Sequence, residues 1–535
     1  MTNENECNDN YDYDTKHLIS DDEENSGAGC AMDSNGLTSS IDDIVDNLKV
    51  GLFHYLMVLS CGLCFAGYNI YYQAIGFIII SACDLDIDAS NKGWLSLSLM
   101  IGFTLGVGVL GRMADAYGRR KIFIFSVTIN LMSMFASVFA YNYNMLVVMA
   151  AIIGCSHSGL AVTIHTYVIE FFPRRQRGLA AGSMVAFLIL GSLFSSTVAL
   201  ITLPHPFYKR IGGINFSSWR LYLLIDIIPI LIGYCILLFM PDSLRFALVK
   251  SEKKSIKLVL DKIDRINSFC KCSNDKDKQY QLLSIPDHVS LGDSKEHTNK
   301  NRFQNEIEHF RLFTKRPWLQ RLLFLSVGWF GNCFSDQGFS IWLPTVVSYY
   351  TSGKTCWHNN HEMLNSSWEA NHPILPDVSF CQTGESLKKV ITDILIGNLF
   401  SIPVAIICLL LVNRAGRKWL YCPMITICGL SILLMLLIDN ELSVLILGCL
   451  FTSISNNVWI AYKTWSSELF PTTVRSTAIG ILNLIGHTGS ILGMTIFALL
   501  FYKSCTATLI IFSFLGLLSG FAALFLSDTT NVDIS

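Results

Sequence analysis

The stretch Asp115-Ala-Tyr-Gly-Arg-Arg120 is followed, 298 residues later (413 − 115 = 298), by Asn413-Arg-Ala-Gly-Arg-Lys418. The stretches Glu170-Phe-Phe-Pro-Arg-Arg-Gln-Arg177 and Glu468-Leu-Phe-Pro-Thr-Thr-Val-Arg475 are the same distance apart (468 − 170 = 298). Each of the four follows a long apolar run. Four polar matches at one offset indicate an internal repeat, in which two copies of one unit follow each other in the chain.

The apolar runs between these motifs have the length of membrane-spanning helices. About 20 apolar residues are needed to cross roughly 30 Å of hydrocarbon. The sequence therefore predicts an all-α membrane protein with about twelve transmembrane helices in two six-helix repeats. The predicted spans are 53–81, 94–111, 122–140, 145–168, 179–202, 221–240, 322–347, 390–412, 418–438, 442–463, 476–501 and 506–526.

Composition and charge support a bilayer environment. Charged residues make up 15% of the chain and hydrophobic residues 51%, whereas soluble proteins carry about 25% charged residues. The net charge of -2 says nothing about nucleic acid, but the sequence has no basic patch of the kind that binds it. If the N-terminus is cytoplasmic, the short inner loops hold 11 Lys and Arg residues and the outer loops 5. This bias agrees with the positive-inside rule and predicts that both termini are cytoplasmic.

The charged regions suggest the domain organisation. Residues 1–49 form an acidic tail that is expected to be disordered, and 50–240 form the first six-helix bundle. Residues 241–321 form a cytoplasmic linker, partly helical around 252–266. Residues 322–526 form the second bundle, with an outer or luminal loop at 348–389, and 527–535 form a cytoplasmic tail.

The repeated motifs predict tight inner loops that control conformation. Gly118 and Gly416 allow the chain to turn within a few residues. Arg119 and Glu170 lie at the inner ends of different spans, where a salt bridge would hold the inner side shut; Asp115 could cap a neighbouring helix. The alternative is that these charges only set topology. The predicted conformational latch comprises Gly111, Asp115, Gly118, Arg119, Arg120, Glu170, Arg177, Asn413, Gly416, Arg417, Glu468 and Arg475.

These motifs resemble those of a known superfamily. The string Gly111-Arg-Met-Ala-Asp-Ala-Tyr-Gly-Arg-Arg120 looks like the signature loop of the major facilitator superfamily. Pro241-Asp-Ser-Leu-Arg245 is similar to the motif after the sixth helix in sugar porters. The resemblance implies two parallel six-helix repeats that transport a solute by alternating access.

Further stretches point to one branch. Ser90-Asn-Lys-Gly93, Ser218-Trp-Arg220, Gly338-Phe-Ser-Ile-Trp-Leu-Pro344 and the segment from Ser466 to Asn483 resemble the synaptic vesicle glycoprotein 2 family, as does Ile41-Asp-Asp-Ile-Val45 before the first span. The resemblance covers roughly residues 40–525.

Three features depart from that family. Family members often carry carboxylates in the first helix, where this chain has Ala66-Gly-Tyr-Asn69. An arginine common in the fourth helix is replaced by Met149-Ala-Ala151, and the large luminal domain is reduced to the loop 348–389. Proton or substrate chemistry that depends on those groups is therefore not expected here.

Ionisable groups inside a bilayer are costly and are functional candidates by default. Asp336 and Lys463 lie in the seventh and tenth spans, which the resemblance places around the central cavity together with the first and fourth. Asp336 could bind a cation or proton and Lys463 an anion. Alternatively, Lys463 extends to the inner surface and Asp336 bonds within a helix interface; Asp226 is a weaker candidate. The cavity candidates are Tyr68, Asn69, His157, Asn332, Asp336, Gln337, Asn456, Asn457, Trp459 and Lys463.

The outer loop and the N-terminal tail carry possible modification and sorting signals. Cys356 and Cys381 are expected to face an oxidising compartment, where they would form a disulfide or remain free thiols. Asn365 is a predicted glycosylation site, whereas the sequon at Asn215 lies too near the sixth span. The pattern Asp14, Leu18 and Ile19 resembles an acidic dileucine sorting signal, although such short patterns also occur in merely solvated tails.

Nothing in the sequence indicates an enzyme. There is no Gly-x-x-x-x-Gly-Lys phosphate loop, and His157 and His165 have no metal-ligand partners in sequence, so no cofactor or metal is implied. The expected partners are the lipid bilayer, a small-molecule solute, a coupling ion and a sorting adaptor on the tail, with the protein monomeric in a vesicle, endosomal or plasma membrane. The first hypothesis is a secondary transporter of a small organic solute. The alternative is a transport-silent membrane adaptor that organises vesicle traffic.

Overall fold

The computed structural model of the chain describes residues 45–46, 50–85, 91–205, 207–211, 214–242, 253–268, 318–352, 356, 384–411, 414–438, 440–470 and 475–526. The predicted sorting residues Asp14, Leu18 and Ile19, the glycosylation site Asn365, and Cys381 and Asn413 lie outside the described residues.

Fourteen α-helices fill the described ranges. All except α7, α8 and α9 are long and apolar enough to cross a membrane. In chain order they are α1 Leu52–Ser81, α2 Gly93–Tyr117, α3 Arg119–Val138, α4 Tyr143–Ile169, α5 Arg177–Thr202, α6 Ser218–Leu238, α7 Lys253–Ser268, α8 Trp318–Ser340, α9 Leu343–Thr351, α10 Gly384–Leu411, α11 Arg417–Leu437, α12 Glu441–Glu468, α13 Arg475–Leu500 and α14 Cys505–Leu524.

The seventh span, predicted as one helix over 322–347, is broken in two. The chain leaves the helix at Ile341 and Trp342 and re-enters it at Leu343. Pro344 lies in the first turn of α9, where its missing N–H is not needed, whereas inside a continuous helix it would remove a bond to the residue four before it. Near the break, the Tyr72 hydroxyl donates to the Gln337 carbonyl at 2.8 Å.

The two halves have the same internal design. Helices α1 to α6 form the first half, and α8 to α14 form the second, with α8 and α9 together as its first span. Gly118 and Gly416 both begin a helix from the same unusual backbone conformation, with φ of 98° and 92°. Such φ values are costly for residues other than glycine. The two glycines that are equivalent in the sequence repeat therefore also have the same backbone conformation.

We call the end of the bundle that carries these two glycines the motif end, and the other the opposite end. The halves touch through α1 with α9, α2 with α13 and α5 with α10. At the opposite end Gly93 lies so near Ala498 that an added Cβ would be 2.3 Å from that residue's Cβ. Between α5 and α10, Asn398 Nδ2 donates to Ser196 Oγ at 3.0 Å, and both residues are buried.

The linker contains the amphipathic helix α7, which overlaps the helical segment predicted around 252–266. It packs on the start of α1, where Asn267 Oδ1 accepts from the Phe53 backbone N–H at 2.9 Å. That N–H is one of the four that a helix start leaves without an internal partner. Ile263 of α7 is fully buried, so the linker is attached to the first half at the motif end.

The predicted pairing of Cys356 with Cys381 is wrong. Cys356 forms a disulfide with Cys505, the first residue of α14. The next residue, Thr506, donates its hydroxyl to the Cys356 carbonyl at 2.8 Å, which holds the loop against the helix start. Cys505 was overlooked because it borders an apolar run. Cys83, just beyond α1, is also disulfide-bonded.

The opposite end further carries an unpredicted antiparallel hairpin, β1 Tyr208–Ile211 and β2 Ile214–Ser217.

Candidate functional site: a cavity between the two halves

A cavity of about 210 Å³ lies between the halves. Its walls come from α1, α2, α4 and α5 of the first half and from α8 to α10, α12 and α13 of the second. Seven of the ten residues that the sequence predicted for the cavity line it: Tyr68, Asn69, Asp336, Gln337, Asn456, Trp459 and Lys463.

The cavity is closed toward the opposite end. Gly76 of α1 lies against the break between α8 and α9, where an added Cβ would be 2.9 Å from the Ile341 carbonyl oxygen and 3.2 Å from Pro344 Cγ. Toward the motif end the lining includes Lys463, which is exposed. Access to the cavity is therefore from the motif end in this structure.

Asp336 is held by three donors. Its carboxylate accepts from Gln337 Nε2 at 3.0 Å, from Ser340 Oγ at 3.1 Å and from Trp459 Nε1 at 3.2 Å. The residue is only 6% exposed. The bond from Trp459 joins α8 to α12 and fixes the indole ring in the cavity wall.

Lys463 stands one helical turn beyond Trp459 on α12, so the two side chains are neighbours. Its Nζ lies 5.9 Å from the centre of the Trp459 ring. No carboxylate in the described ranges lies within 4.0 Å of that ammonium. One indole ring thus contacts both charged side chains of the cavity.

Three predicted cavity residues, and the weaker candidate Asp226, are buried between helices and do not line the cavity. Asn457 is fully buried and donates to the Ser401 and Ser453 carbonyls. Asn332 and His157 are each 1% exposed. Asp226 is fully buried and accepts from Ser195 Oγ at 2.9 Å. These four were predicted by residue type, and residue type cannot tell which side of a helix faces the cavity.

Several lining residues were not predicted. Tyr72 and Ser340 lie four residues after the predicted Tyr68 and Asp336, so helical spacing could have identified them. His165 was interpreted as a packing group, yet it lines the cavity. His487 also lines it and contacts Phe103, with ring centres 5.0 Å apart. It lies on α13, outside the set of helices that the resemblance places around the cavity.

The charged motifs form the predicted salt bridges, but each joins helices of one half. Arg119, at the start of α3, pairs with Glu170, just after α4. Arg417, at the start of α11, pairs with Glu468 at the end of α12, with Nη2 and Oε1 2.9 Å apart. Both salt bridges are present while the cavity is open at the same end. Each pair therefore links two helices of its own half, and the role of the Arg119–Glu170 pair in holding the inner side shut stays a prediction.

The remaining motif residues have varied surroundings. Arg120 pairs with Asp242 at 3.3 Å and donates to the Leu238 carbonyl. Arg177 Nε donates to the Phe172 carbonyl at 3.1 Å. At Gly111 an added Cβ would meet only Val162 at 3.7 Å, so packing does not require glycine there. The side chains of Asp115 and Arg475 lie outside the described part of the chain.

We expect Arg119→Ala and Glu170→Ala to lower stability non-additively. Arg119→Ala removes a donor from the Glu170 carboxylate, which is only 3% exposed, at a cost of about 1–3 kcal/mol. Glu170→Ala should cost less because the Arg119 side chain is 34% exposed. The double variant should cost clearly less than the sum because both changes remove one contact. The matched control is Arg119→Ala with Arg417→Ala, which lie in different halves and should add. Thermal unfolding of purified protein in detergent measures both cycles. Additivity in the Arg119–Glu170 cycle would show that the pair contributes no coupling.

Comparison with known proteins agrees with this architecture. The family model of the Major Facilitator Superfamily matches residues 59–355, more than half of the chain. Human synaptic vesicle glycoprotein 2B is 23% identical over 87% of this chain and 82% of its own length. The niacin transporter NiaP of Acinetobacter baylyi is 23% identical over 84% of this chain and 87% of its own. The similarity to synaptic vesicle glycoprotein 2 inferred from the motifs is thus confirmed.

Solved structures give the same fold. The crystal structure of a D-xylose–proton symporter superposes with a TM-score of 0.61 at 14% identity, over 90% of this chain and 99% of that one. A partially occluded inward-open form of the xylose transporter XylE from E. coli gives 0.60 over the same shares. By its family model, repeat and fold, the chain belongs to the major facilitator superfamily.

Proposed function

We propose that the protein is a secondary transporter that moves a small organic solute across a membrane by alternating access. The observation that carries this proposal is the cavity between the two halves, closed at the opposite end by Gly76 against the α8–α9 break and open at the motif end. Rocking of the halves would exchange the closed and open ends around one binding site.

The relatives support a small organic cargo. The niacin transporter and the xylose transporter are named for such molecules, and the superfamily consists of carriers. Polar and aromatic side chains share the cavity lining, as is usual for sites that orient a small molecule. The excess of basic residues at the motif end supports a cytoplasmic position for that end under the positive-inside rule. The structure then corresponds to the inward-open state.

Reconstitution tests the proposal directly. We expect purified protein in proteoliposomes to take up or exchange at least one radiolabelled metabolite with saturation, either by counterflow or driven by an imposed pH gradient. One structural relative is by its title a proton symporter, so the pH gradient is the first driving force to apply. Monodisperse protein that moves nothing but co-purifies with coat or vesicle proteins would favour the adaptor hypothesis instead.

Gly76→Val should reduce that flux by about tenfold or more. The Cβ of the valine would press on the Ile341 carbonyl, and overpacking of this kind typically costs about 1–3 kcal/mol. The substitution should therefore destabilise the conformation that is closed at the opposite end, which the transport cycle requires. The control is Gly182→Val in α5, where no atom lies within 4 Å of an added Cβ. Initial rates at equal amounts of monodisperse protein are compared. Normal flux in Gly76→Val would mean that this contact does not close the pathway.

A further inference from the structure

We propose that the cargo is a small organic anion with a planar ring, and that Lys463 binds its carboxylate or equivalent anionic group. The inference rests on the proposed transport function and names the class of solute that the cavity selects. Its basis is the unequal state of the two charges that line the cavity, Asp336 and Lys463.

Lys463 is a cation without a counter-ion. It is exposed to the cavity, and within the described ranges no carboxylate lies within 4.0 Å of its ammonium. Its Nζ lies over the face of the Trp459 ring, 5.9 Å from the ring centre. A charge between membrane helices is costly unless it is paired. An anionic group entering the cavity would supply the missing partner.

Asp336 is the opposite case. An ionised carboxylate offers about four acceptor positions, and three of them are taken by Gln337, Ser340 and Trp459. With 6% exposure it presents little surface to a ligand. Most of its acceptor positions are thus occupied by protein donors, which leaves little room for direct contact with a cargo. We assign it the role of a positioning residue that holds Trp459.

The cavity walls include aromatic side chains that suit a flat ring. Tyr68 and Tyr72 lie one turn apart on α1 with their ring planes 18° from parallel and their centres 6.2 Å apart. Trp459 stands on the second half with its indole N–H fixed by Asp336. Aromatic faces pack best against other planar groups. His165 and His487, which also line the cavity, add ring nitrogens that can donate to an anion.

Binding to purified protein in detergent tests the class without transport. The probes are benzoate, its neutral analogue benzamide, its cationic analogue benzylamine, and acetate, which has no ring. We expect benzoate to bind, as measured by calorimetry and by quenching of tryptophan fluorescence. Benzamide and benzylamine should each bind at least about tenfold more weakly, since a hydrogen bond to a charged group contributes at least that much. Acetate keeps the anionic group but should also bind more weakly, because it lacks the ring that packs against the aromatic walls.

Substitutions of Lys463 and Asp336 test which side chain binds the carboxylate of benzoate. Lys463→Gln should weaken benzoate binding at least about tenfold while Lys463→Arg retains it; Lys463→Met replaces the glutamine variant if that fails to fold. Asp336→Asn should keep the order of preference, with benzoate above benzylamine, because the residue acts through Trp459.

Three results would overturn the inference: no benzoate binding to monodisperse protein, benzylamine or benzamide binding as well as benzoate, or full benzoate affinity in Lys463→Gln. If proteoliposomes transport only neutral or cationic solutes, the protein is a transporter but its cargo is not an organic anion. Absence of any flux from protein that binds benzoate would instead reject the transport function.

Discussion

Arg220→Ala is expected to destabilise the folded protein by about 3–5 kcal/mol, because it leaves a buried carboxylate without its partner. Arg220 Nη2 lies 3.0 Å from Asp84 Oδ2, and the two side chains are only 2% and 7% exposed. The guanidinium also donates to the Val138 and Ala140 carbonyls. Asp84 accepts from Trp219 Nε1 as well. The loss should appear as a lower thermal unfolding midpoint in detergent and reduced yield of monodisperse protein.

The control for this prediction is an ion pair between second-half helices. Lys389 and Glu441 are 2.5 Å apart but about half exposed, at 51% and 47%, and exposed pairs typically contribute 1 kcal/mol or less. Lys389→Ala should therefore change the midpoint only slightly. If the unfolding midpoint of Arg220→Ala is no lower than that of Lys389→Ala, the hydrogen bonds and salt bridge of Arg220 do not stabilise the opposite end.

Gly154→Ala should be among the most damaging single-methyl changes in the first half, with a cost of about 1–3 kcal/mol or more. Helices α2 and α4 approach so closely that an added Cβ on Gly154 would lie 1.9 Å from the Leu99 carbonyl oxygen and 3.0 Å from the Phe103 backbone nitrogen. Backbone cannot rotate away, so α2 must shift as a whole. Small residues allow this kind of close helix packing in membranes. Because Phe103 lines the cavity, benzoate affinity should fall together with the unfolding midpoint.

Gly182→Ala is the matched control. It adds the same methyl group to a helix, and nothing lies within 4 Å of the new atom. Alanine is the better helix former by about 1 kcal/mol, so this variant should unfold at or above the wild-type midpoint. Equal midpoints for the two alanine variants would show that α2 and α4 can separate without cost.

Most of the fold could be predicted because local sequence patterns indicate both the helices and the repeat. Apolar runs gave the membrane-spanning helices, and the constant offset between motifs gave the two halves. Gly118 and Gly416 indicated tight turns, which the positive φ angles confirm. The break in the seventh span was missed, although Pro344 was visible, because hydropathy continues through Ile341 and Trp342 without interruption.

The site was only partly predictable, because burial and pairing depend on distant residues. Arg220 was part of a recognised motif, but Asp84 stands 136 residues away, in a short 3-10 turn that no periodicity marks. Cys505 is separated from Cys356 by 149 residues and looked like a helix residue. Asn332 and Asp336 are one turn apart on α8, yet only Asp336 lines the cavity. Which part of a helix faces the solute path is decided by packing of the other helices.

The break between α8 and α9 supplies a point about which α9 would be free to turn relative to α8. A continuous helix would have to bend, or carry the whole second half with it, before the opposite end could open. Here the nine residues of α9 are separated from α8 by two non-helical residues, and α9 is the part that meets α1 beside Gly76. We expect that the contact of α9 with α1 at the opposite end would open by a movement of this short segment, while Asp336 and Trp459 keep their positions.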